Sequence, residues 1–190
     1  MTLGIDIDDV ITNTSELIVD YAKKHFNSTD IDLINNILHA SNIDDKLVDF
    51  YDKYLLEMQK IYTLKENVKE VIDRLILKGH KIVIITARGN NQPHAILGEL
   101  DQKTGTIEYL SKHQINYNKI IFRARDKKEA AIKNEIDVLI DDSVFILENL
   151  KGSNVRPVLF TSISNKNIEA NFDRVSNWLE LEQYLENLHN

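Results

Sequence analysis

Two aspartates near the start of the chain have the type and spacing of a catalytic or metal-binding pair. Asp6 and Asp8 follow a short apolar segment and are separated by Ile7. Because side chains alternate along a strand, this spacing predicts that both carboxylates lie on one face at a strand end. Two adjacent carboxylates repel each other unless positive charge lies between them, and a divalent cation with oxygen ligands can supply it. The pair therefore predicts a metal site, with a phosphate as a further candidate ligand.

Polar and charged residues also follow three later apolar segments of the chain. Ligands of open α/β sheets bind outside the carboxyl ends of the strands, so residues at these ends are expected to converge. Carboxylates, a hydroxyl and cations at one edge suit phosphoryl transfer, which requires a nucleophile, a metal and donors to the phosphoryl oxygens. The candidate residues at these later ends are Thr86, Arg88, Arg125, Lys127, Asp141 and Asp142.

Five short apolar segments predict the strands that must position these residues. Besides the opening one, they are residues 81–86, 119–122, 138–140 and 157–160. Their β-branched, non-alternating composition is typical of strands buried on both faces of a parallel sheet. Helical patterns separate them: one is expected to end at Gly79, one to begin at Thr104 or Thr106, and one to cover residues 168–188. This alternation predicts an α/β fold with a doubly wound parallel sheet.

The segment between the first strand and residue 81 departs from this alternation, because it has a helical pattern throughout. Apolar stripes recur at residues 17–22, 31–38 and 47–61. We interpret it as a small helical cap inserted after the first strand. The expected division is a core of residues 1–14 and 66–190 with a cap of residues 15–65. Within the cap, Phe50, Tyr51 and Tyr54 are candidates for contact with a substrate, although core packing is the favoured interpretation.

Composition sets the broad class of the protein. A chain of 190 residues can bury one substantial core, and its apolar segments are too short to span a bilayer. No signal-peptide pattern is found at the N-terminus, and there are no cysteines, which fits a reducing cytoplasm. The net charge of −7 argues against a broad surface for polymeric nucleic acid. We expect a cytoplasmic protein that binds neither membranes nor nucleic acid polymers.

The order of these residues resembles the signature of the haloacid-dehalogenase-like phosphohydrolases. That signature is an Asp-x-Asp-x-Val/Thr strand end, a strand-end Thr or Ser, a Lys and a late acidic pair. This chain has Asp6-Ile-Asp8-Asp-Val10, Thr86, Lys127 and Asp141-Asp142 in the same order. The resemblance covers nearly the whole chain and includes the helical cap. Within the superfamily the chain is most similar to deoxyribonucleotidase-type 5′-nucleotidases and their bacterial relatives.

The resemblance implies a covalent mechanism with two catalytic aspartates. Asp6 would attack phosphorus and form an aspartyl-phosphate intermediate. Asp8 would protonate the leaving alkoxide and then activate the water that hydrolyses the intermediate. Thr86 and Lys127 would hold the phosphoryl oxygens.

The resemblance also implies a Mg²⁺ cofactor that neutralises the nucleophile and contacts the phosphate. Its ligands would be the Asp6 carboxylate, the Asp8 backbone carbonyl and the Asp142 carboxylate, with Asp141 in support. Arg88 and Arg125 would bind substrate phosphate or, equally, pair with surface acids. Lys128 is the alternative to Lys127, and Asp9 stands where many relatives carry Gly.

The function expected from these residues is that of a Mg²⁺-dependent phosphomonoesterase, with nucleotides as the favoured substrates. A sugar-phosphate or other small-metabolite phosphatase is an alternative of the same class. A non-catalytic phosphate- or metal-binding protein on the same scaffold is an alternative of another class. A phospho-accepting receiver domain fits poorly, because it would place the acceptor on a later strand and lack the helical insertion. The expected partner is a small phosphorylated metabolite, and a homodimer is left open.

Overall fold

The computed structural model describes residues 1–30, 45–89, 99–124 and 126–188 of the chain. Within these ranges the strands are β1 (Thr2–Ile5), β2 (Lys81–Ile85), β3 (Lys119–Ile121), β4 (Val138–Asp141), β5 (Arg156–Phe160) and β6 (Asp173–Val175). The helices are α1 (Thr14–His25), α2 (Asp45–Ile61), α3 (Val68–Leu77), α4 (Glu99–Lys112), α5 (Lys127–Lys133), α6 (Val144–Glu148) and α7 (Trp178–Asn187).

The six strands form one sheet in the order β3-β2-β1-β4-β5-β6. Every neighbouring pair is parallel. Starting from the central β1, the chain builds β2 and β3 on one side and then β4 to β6 on the other. This doubly wound arrangement confirms the predicted fold class. It also brings the carboxyl ends of all the strands to one edge, with β1 between β2 and β4.

Both faces of the sheet are buried, which explains the uninterrupted apolar strands. Along β1, Leu3 and Ile5 belong to one core cluster, whereas Val83 and Ile85 of β2 belong to the cluster on the opposite face. Gly4 lies between them where a side chain has no room, because a Cβ there would approach Leu139 Cδ1 to 2.9 Å. A larger residue at position 4 would therefore require the side chains of Leu139 and Ile136 to shift.

The predicted end of α3 at Gly79 is confirmed in detail. Gly79 has a φ of +86°, a conformation that favours glycine. The amide of Gly79 donates to the Ile76 carbonyl at 2.9 Å, and the amide of His80 donates to the Leu75 carbonyl at 3.0 Å. This pair of bonds is the Schellman ending, which turns the chain directly into β2.

Helices α1 and α2 lie between β1 and α3 in the chain and pack against each other through aromatic rings. The Tyr21 and Tyr54 ring centroids are 5.1 Å apart, and Phe50 is fully buried beside His25. The favoured interpretation of Phe50 as core is therefore correct. These helices fall in the segment expected to form the cap, while the apolar stripe at residues 31–38 lies outside the described residues. The division into core and cap stays a prediction.

Two expected helices differ from the structure. Helix α4 begins at Glu99, so Thr104 and Thr106 lie inside it and neither begins it. The stretch 168–188 is not one helix, because residues 173–175 form β6 beside β5 before α7 begins at Trp178. Asn177 is the N-cap of α7, and its side chain accepts the Glu180 amide at 2.9 Å.

The C-terminal helix is tied to the turn that follows β1. The Trp178 indole Nε1 donates to the Val10 carbonyl at 2.8 Å, and the Trp178 side chain is fully buried. This hydrogen bond joins the C-terminal helix to the turn that carries the first acidic motif. Among the described residues, no helix combines the length and apolar character needed to cross a membrane.

Candidate active site

The turn after β1 carries the first acidic motif and is held by backbone hydrogen bonds. The Asp6 amide donates to the Ile140 carbonyl of β4 at 3.0 Å, which extends the sheet by one residue. The Ile7 carbonyl then accepts from the amides of Ile11 at 2.9 Å and Thr12 at 3.0 Å. The main chain thus leaves the sheet in a tight turn at the edge where strands end.

Lys127 joins the first acidic motif to the late acidic pair. Its Nζ lies 2.8 Å from Asp6 Oδ1 and 2.6 Å from Asp141 Oδ2, and only 4% of its side chain is exposed. Lys127 begins α5, whose N-cap is Asp126, which accepts the Glu129 amide at 3.0 Å. Lys128 instead donates to a backbone carbonyl at the surface. The structure therefore brings Lys127, and not Lys128, into contact with the acidic residues.

Three carboxylates beside Lys127 form a cluster that could hold a metal. One oxygen each from Asp6, Asp141 and Asp142 lies within 4.8 Å of the others. Three carboxylates against the one cation of Lys127 leave an excess of two negative charges when all are ionised. Oxygen ligands and this excess fit a divalent cation such as Mg²⁺ or Mn²⁺.

Burial, together with this shortage of positive charge, raises the pKa values of two of these carboxyls. Burial raises the pKa of Asp6 to about 7, with Lys127 opposing the rise and Asp141 adding to it. Burial raises the pKa of Asp142 to about 8, with further repulsion from Asp6 and Asp141. A bound cation would favour the ionised form of both carboxyls.

Asp142 is held by residues that follow β5, which the sequence analysis did not single out. Ser162 Oγ donates to Asp142 Oδ2 at 3.3 Å, and Asn165 Nδ2 donates to the Asp142 backbone carbonyl at 2.7 Å. Asn165 is buried, and its Oδ1 accepts from Arg174 at 3.0 Å. The strand-end rule could have found Ser162, because it lies two residues beyond the end of β5.

Asp8 lies at the same edge but pairs with a different cation. Arg88 donates from Nη2 to Asp8 Oδ1 at 2.6 Å and from Nε to Asp8 Oδ2 at 3.1 Å. Thr14 Oγ1 donates to Asp8 Oδ1 at 2.8 Å. Burial alone would raise the pKa of Asp8, but the charge and hydrogen bonds of Arg88 outweigh it and lower the pKa below its usual value. The structure thus places Arg88 on a carboxylate of the site itself.

The remaining predicted residues are placed as follows. Thr86 is fully buried just beyond β2, where its Oγ1 accepts the Arg88 amide at 3.2 Å. Arg125 lies outside the described residues.

Near Asp8, the buried Tyr62 ring lies 5.3 Å from Arg88 Cζ. Burial and the negative charge of Asp8 both raise the pKa of Tyr51.

Asp9 stabilises the turn and the start of α1. Its φ is +57°, in the left-handed region that Gly adopts freely and Asp tolerates. Its carboxylate accepts the Ser15 amide at 2.9 Å and also the Ser15 hydroxyl. The N-cap residue Asn13 makes no such bond with its own side chain. Asp9 lies outside α1 and accepts a hydrogen bond from an amide of its first turn, where amides have no partner within the helix.

Comparison with known proteins supports the resemblance found in the sequence. Residues 1–188 match the sequence model of the family described as "5′ nucleotidase, deoxy (Pyrimidine), cytosolic type C protein". The chain is 29% identical to "Putative nucleotidase YqfW" of Bacillus subtilis over 98% of this chain and 94% of that protein. It is 27% identical to "Nucleotidase CA_C3379" of Clostridium acetobutylicum over 95% of this chain and 91% of that protein.

A solved structure shares the fold over almost the entire chain. It is a hydrolase of Streptococcus pneumoniae described as the haloacid dehalogenase-like family protein SP0104. The TM-score is 0.66 at 12% identity, with 97% of each chain covered. Together with the matched family, this fold and the acidic motifs at its strand ends confirm the resemblance. The chain belongs to the cytosolic type C 5′-nucleotidase family and is a haloacid-dehalogenase-like phosphohydrolase of the nucleotidase type.

Proposed function

We propose that this protein is a Mg²⁺-dependent nucleotidase that dephosphorylates (deoxy)nucleoside monophosphates through an aspartyl-phosphate on Asp6. The observation that carries the proposal is the buried contact of Lys127 with Asp6 and Asp141 beside Asp142. A nucleophile, a cation for the phosphoryl oxygens and a set of carboxylate ligands are thereby assembled within one cluster.

The metal would be held by the carboxylates of Asp6 and Asp142 and the Asp8 backbone carbonyl, with Asp141 in support. Bound there, Mg²⁺ would offset the charge of the nucleophile and polarise the phosphoryl oxygens. The cluster of three carboxylates supports this assignment, because its excess negative charge matches a divalent cation.

In the first half of the reaction, an Asp6 carboxylate oxygen attacks phosphorus and forms the new P–O bond. The bond to the leaving oxygen breaks, and Asp8 supplies the proton that this oxygen takes up. Lys127 orients Asp6 through the contact at 2.8 Å. Because an ammonium group has three donors, Lys127 can contact a phosphoryl oxygen as well as its two acids. Thr86 donates to a second phosphoryl oxygen.

In the second half, water attacks the phosphorus of the aspartyl-phosphate. Asp8, now ionised, takes a proton from this water as the P–O bond to Asp6 breaks. Inorganic phosphate leaves, and Asp6 and Asp8 return to their starting protonation states. The fork of Arg88 supports the base role of Asp8, because it favours the ionised carboxyl. For the acid role Asp8 would take up a proton in the substrate complex, where the negative charge of the bound phosphate raises its pKa.

The preference for nucleotides is supported by the matched family and by the two bacterial relatives, both described as nucleotidases. Tyr51 and Tyr62 lie on the Asp8 side of the site, where the part of the substrate beyond the phosphate would extend. The half-buried Tyr51 is compatible with contact to a flat nucleobase in this position, whereas Tyr62 is buried against Arg88.

The test is phosphate release by the purified protein with Mg²⁺ from a panel of 5′ and 3′ ribo- and deoxyribonucleotides and sugar phosphates. We expect turnover of nucleotides and a loss on the order of 10⁴-fold or more in Asp6→Asn, as for removal of other catalytic nucleophiles. Asp20→Asn, at an exposed position on α1, serves as the matched control. Equal, slow release by wild type and Asp6→Asn would refute the mechanism. Faster turnover of sugar phosphates than of every nucleotide would refute the substrate class.

A further inference from the structure

We propose that Arg88 is a positioning residue that holds the Asp8 carboxylate for proton transfer and is not a ligand of the substrate phosphate. The inference rests on the proposed function, in which Asp8 is the acid and base. It differs from the expectation drawn from the sequence, where Arg88 was a candidate for binding phosphate.

Three of the five N–H donors of Arg88 are engaged within the protein. Nε and Nη2 form the two-pronged contact with Asp8, and Nη1 donates to Thr106 Oγ1 at 3.3 Å. A planar guanidinium recognises a phosphate or a carboxylate through two such adjacent donors. In Arg88 the Nε–Nη2 fork is occupied by Asp8, and only 8% of the side chain is exposed, so little of the guanidinium is accessible to a phosphate.

The surroundings of the guanidinium also hold it in place. The Tyr62 ring lies 5.3 Å from Cζ, which is within the range of a cation–π contact. Tyr62 is buried, and its backbone carbonyl accepts from the Tyr109 hydroxyl at 2.7 Å. Thr106 and Tyr109 both belong to α4, so this helix and the residue after α2 together enclose Arg88.

The main chain around Arg88 is fixed as firmly as its side chain. The Arg88 carbonyl accepts the Arg123 amide at 3.0 Å, and the Gly89 carbonyl accepts from Arg123 Nε at 2.7 Å. The Gly89 amide donates to Gln102 Oε1 at 2.8 Å. Turning Arg88 toward a phosphate would have to disrupt its own side-chain contacts within a loop that is bonded on both sides.

Asp8 is held from a second direction as well. Thr14 Oγ1 donates to the Asp8 oxygen that also accepts from Nη2, and it shares a short contact of 2.6 Å with Thr12 Oγ1. Arg88 from the loop after β2 and Thr14 from α1 therefore set the orientation of one carboxyl group. A proton-transfer group must be held in such an orientation to reach the leaving oxygen and, later, the attacking water.

The test compares Arg88→Met with wild type on two phosphate esters, p-nitrophenyl phosphate and an alkyl phosphate such as a nucleoside monophosphate. The first has a leaving oxygen that departs without a proton, while the second needs one. We expect kcat/KM for the alkyl ester to fall about 10²-fold, the size of a lost acid–base contribution. For the aryl ester kcat/KM stays within a factor of about two, because Asp6 still attacks normally.

Further signatures separate positioning from phosphate binding. In Arg88→Met, hydrolysis of the aspartyl-phosphate becomes slow, so p-nitrophenol appears in a burst followed by a lower steady rate. The inhibition constant of inorganic phosphate stays unchanged. Asp8→Asn is expected to show the same pattern, and the double variant to lose little more than either single one. Arg88→Lys keeps the charge without the fork and is expected to behave like Arg88→Met.

Several results would overturn the inference. A rise of about tenfold or more in the phosphate inhibition constant, with equal losses on both esters, would make Arg88 a phosphate ligand. Full activity of Arg88→Lys would show that the charge suffices. If Arg88→Met does not fold, Thr106→Val carries the test, with a smaller loss confined to the alkyl ester, and equal losses on both esters would refute the inference. A wild type that cleaves neither ester refutes the proposed function itself, and the inference with it.

Discussion

Lys127 and Arg88 are buried cations that contact carboxylates at the same edge of the sheet, but they differ in how many acids each contacts. Lys127 is a point charge shared between two acids, Asp6 and Asp141, next to a third, Asp142. Arg88 uses a planar fork on one acid, Asp8. The first group keeps an excess of negative charge, whereas the second is neutral. The Lys127 group can therefore attract a further cation, whereas the charges of the Arg88–Asp8 pair already balance.

The largest expected effect comes from removing the cation of the first group. Lys127→Met would leave Asp6 and Asp141 buried without their partner, so the free energy of unfolding should fall by about 3–5 kcal/mol. Urea unfolding in EDTA at pH 8 measures this change. The neighbouring Lys128→Met is the control, because Lys128 donates to a carbonyl at the surface, and should change stability by less than about 0.5 kcal/mol. Equal stability of the two variants would show that Lys127 does not hold the acids together.

The contributions of the Lys127 group and of the Arg88–Asp8 pair to folding stability should change with pH in opposite directions. Asp6 and Asp142 have pKa values raised to about 7 and about 8 from 3.8. Between about pH 4 and 8 the metal-free folded protein therefore binds more protons than the unfolded chain, and its stability falls as pH rises. The lowered pKa of Asp8 acts the other way, since its contribution is present above about pH 4 and lost only below.

Thermal unfolding in EDTA from pH 5 to 8.5 tests this prediction, in parallel with samples containing Mg²⁺. Each carboxyl can contribute up to about 1.4 kcal/mol per pH unit. The cation should restore stability mainly above pH 7, where it competes with fewer protons. Asp142→Asn should flatten the metal-free profile. A metal-free wild type that becomes more stable toward pH 8 would contradict the charge excess assigned to the Lys127 group.

A smaller effect is expected at Asp142, which accepts from a neutral hydroxyl and makes no ion pair with the described residues. Ser162→Ala removes the hydroxyl that contacts Asp142 Oδ2. We expect about a tenfold weaker Mg²⁺ affinity, as for other residues that orient metal ligands. Isothermal titration calorimetry measures it, with Ser153→Ala, remote from the acids, as control. Equal dissociation constants in the two variants would show that the Ser162 hydroxyl does not orient the ligand.

The smallest effect concerns Asp9, whose carboxylate accepts hydrogen bonds from Ser15 at the start of α1. Asp9→Ala loses the bond to the Ser15 amide and keeps the left-handed backbone, so it should cost about 1–2 kcal/mol. Asp9→Gly loses the same bond but adopts this backbone freely, so the cost should stay below about 1 kcal/mol. Urea unfolding compares the two. An alanine variant more stable than the glycine variant would contradict the backbone argument.

The positions of the site residues in the fold were predictable from the sequence, because strand ends follow from apolar runs and parallel strands end at one edge. Asp6, Thr86 and Asp141 appear at the ends expected for them. Helix and strand limits were less accurate where the polar pattern is weak. The short edge strand β6 has exposed Asp173 and half-buried Arg174, so it lacks the apolar run that revealed the central strands.

The partners of the charged residues were not predictable in the same way. Nothing in the spacing of Asp8 and Arg88 indicates that they meet, because the contact depends on how the loop after β2 is bonded to Arg123 and Gln102. The strand-end rule places Ser162 near this edge, but its contact with Asp142 and that of Asn165, both from beyond the neighbouring strand β5, could not be predicted. Sequence motifs locate the acids, but tertiary packing decides which cation or hydroxyl each of them contacts.

The buried hydrogen bond from the Trp178 indole to the Val10 carbonyl makes Trp178 an intrinsic fluorescence probe of the turn after β1. The chain has one tryptophan, so its intrinsic fluorescence arises from a single place. That place is directly behind the turn that carries Asp6 and Asp8. We expect emission to shift when a divalent cation or a phosphate ester rearranges this turn, which would allow binding to be followed without a label and in variants that have lost turnover.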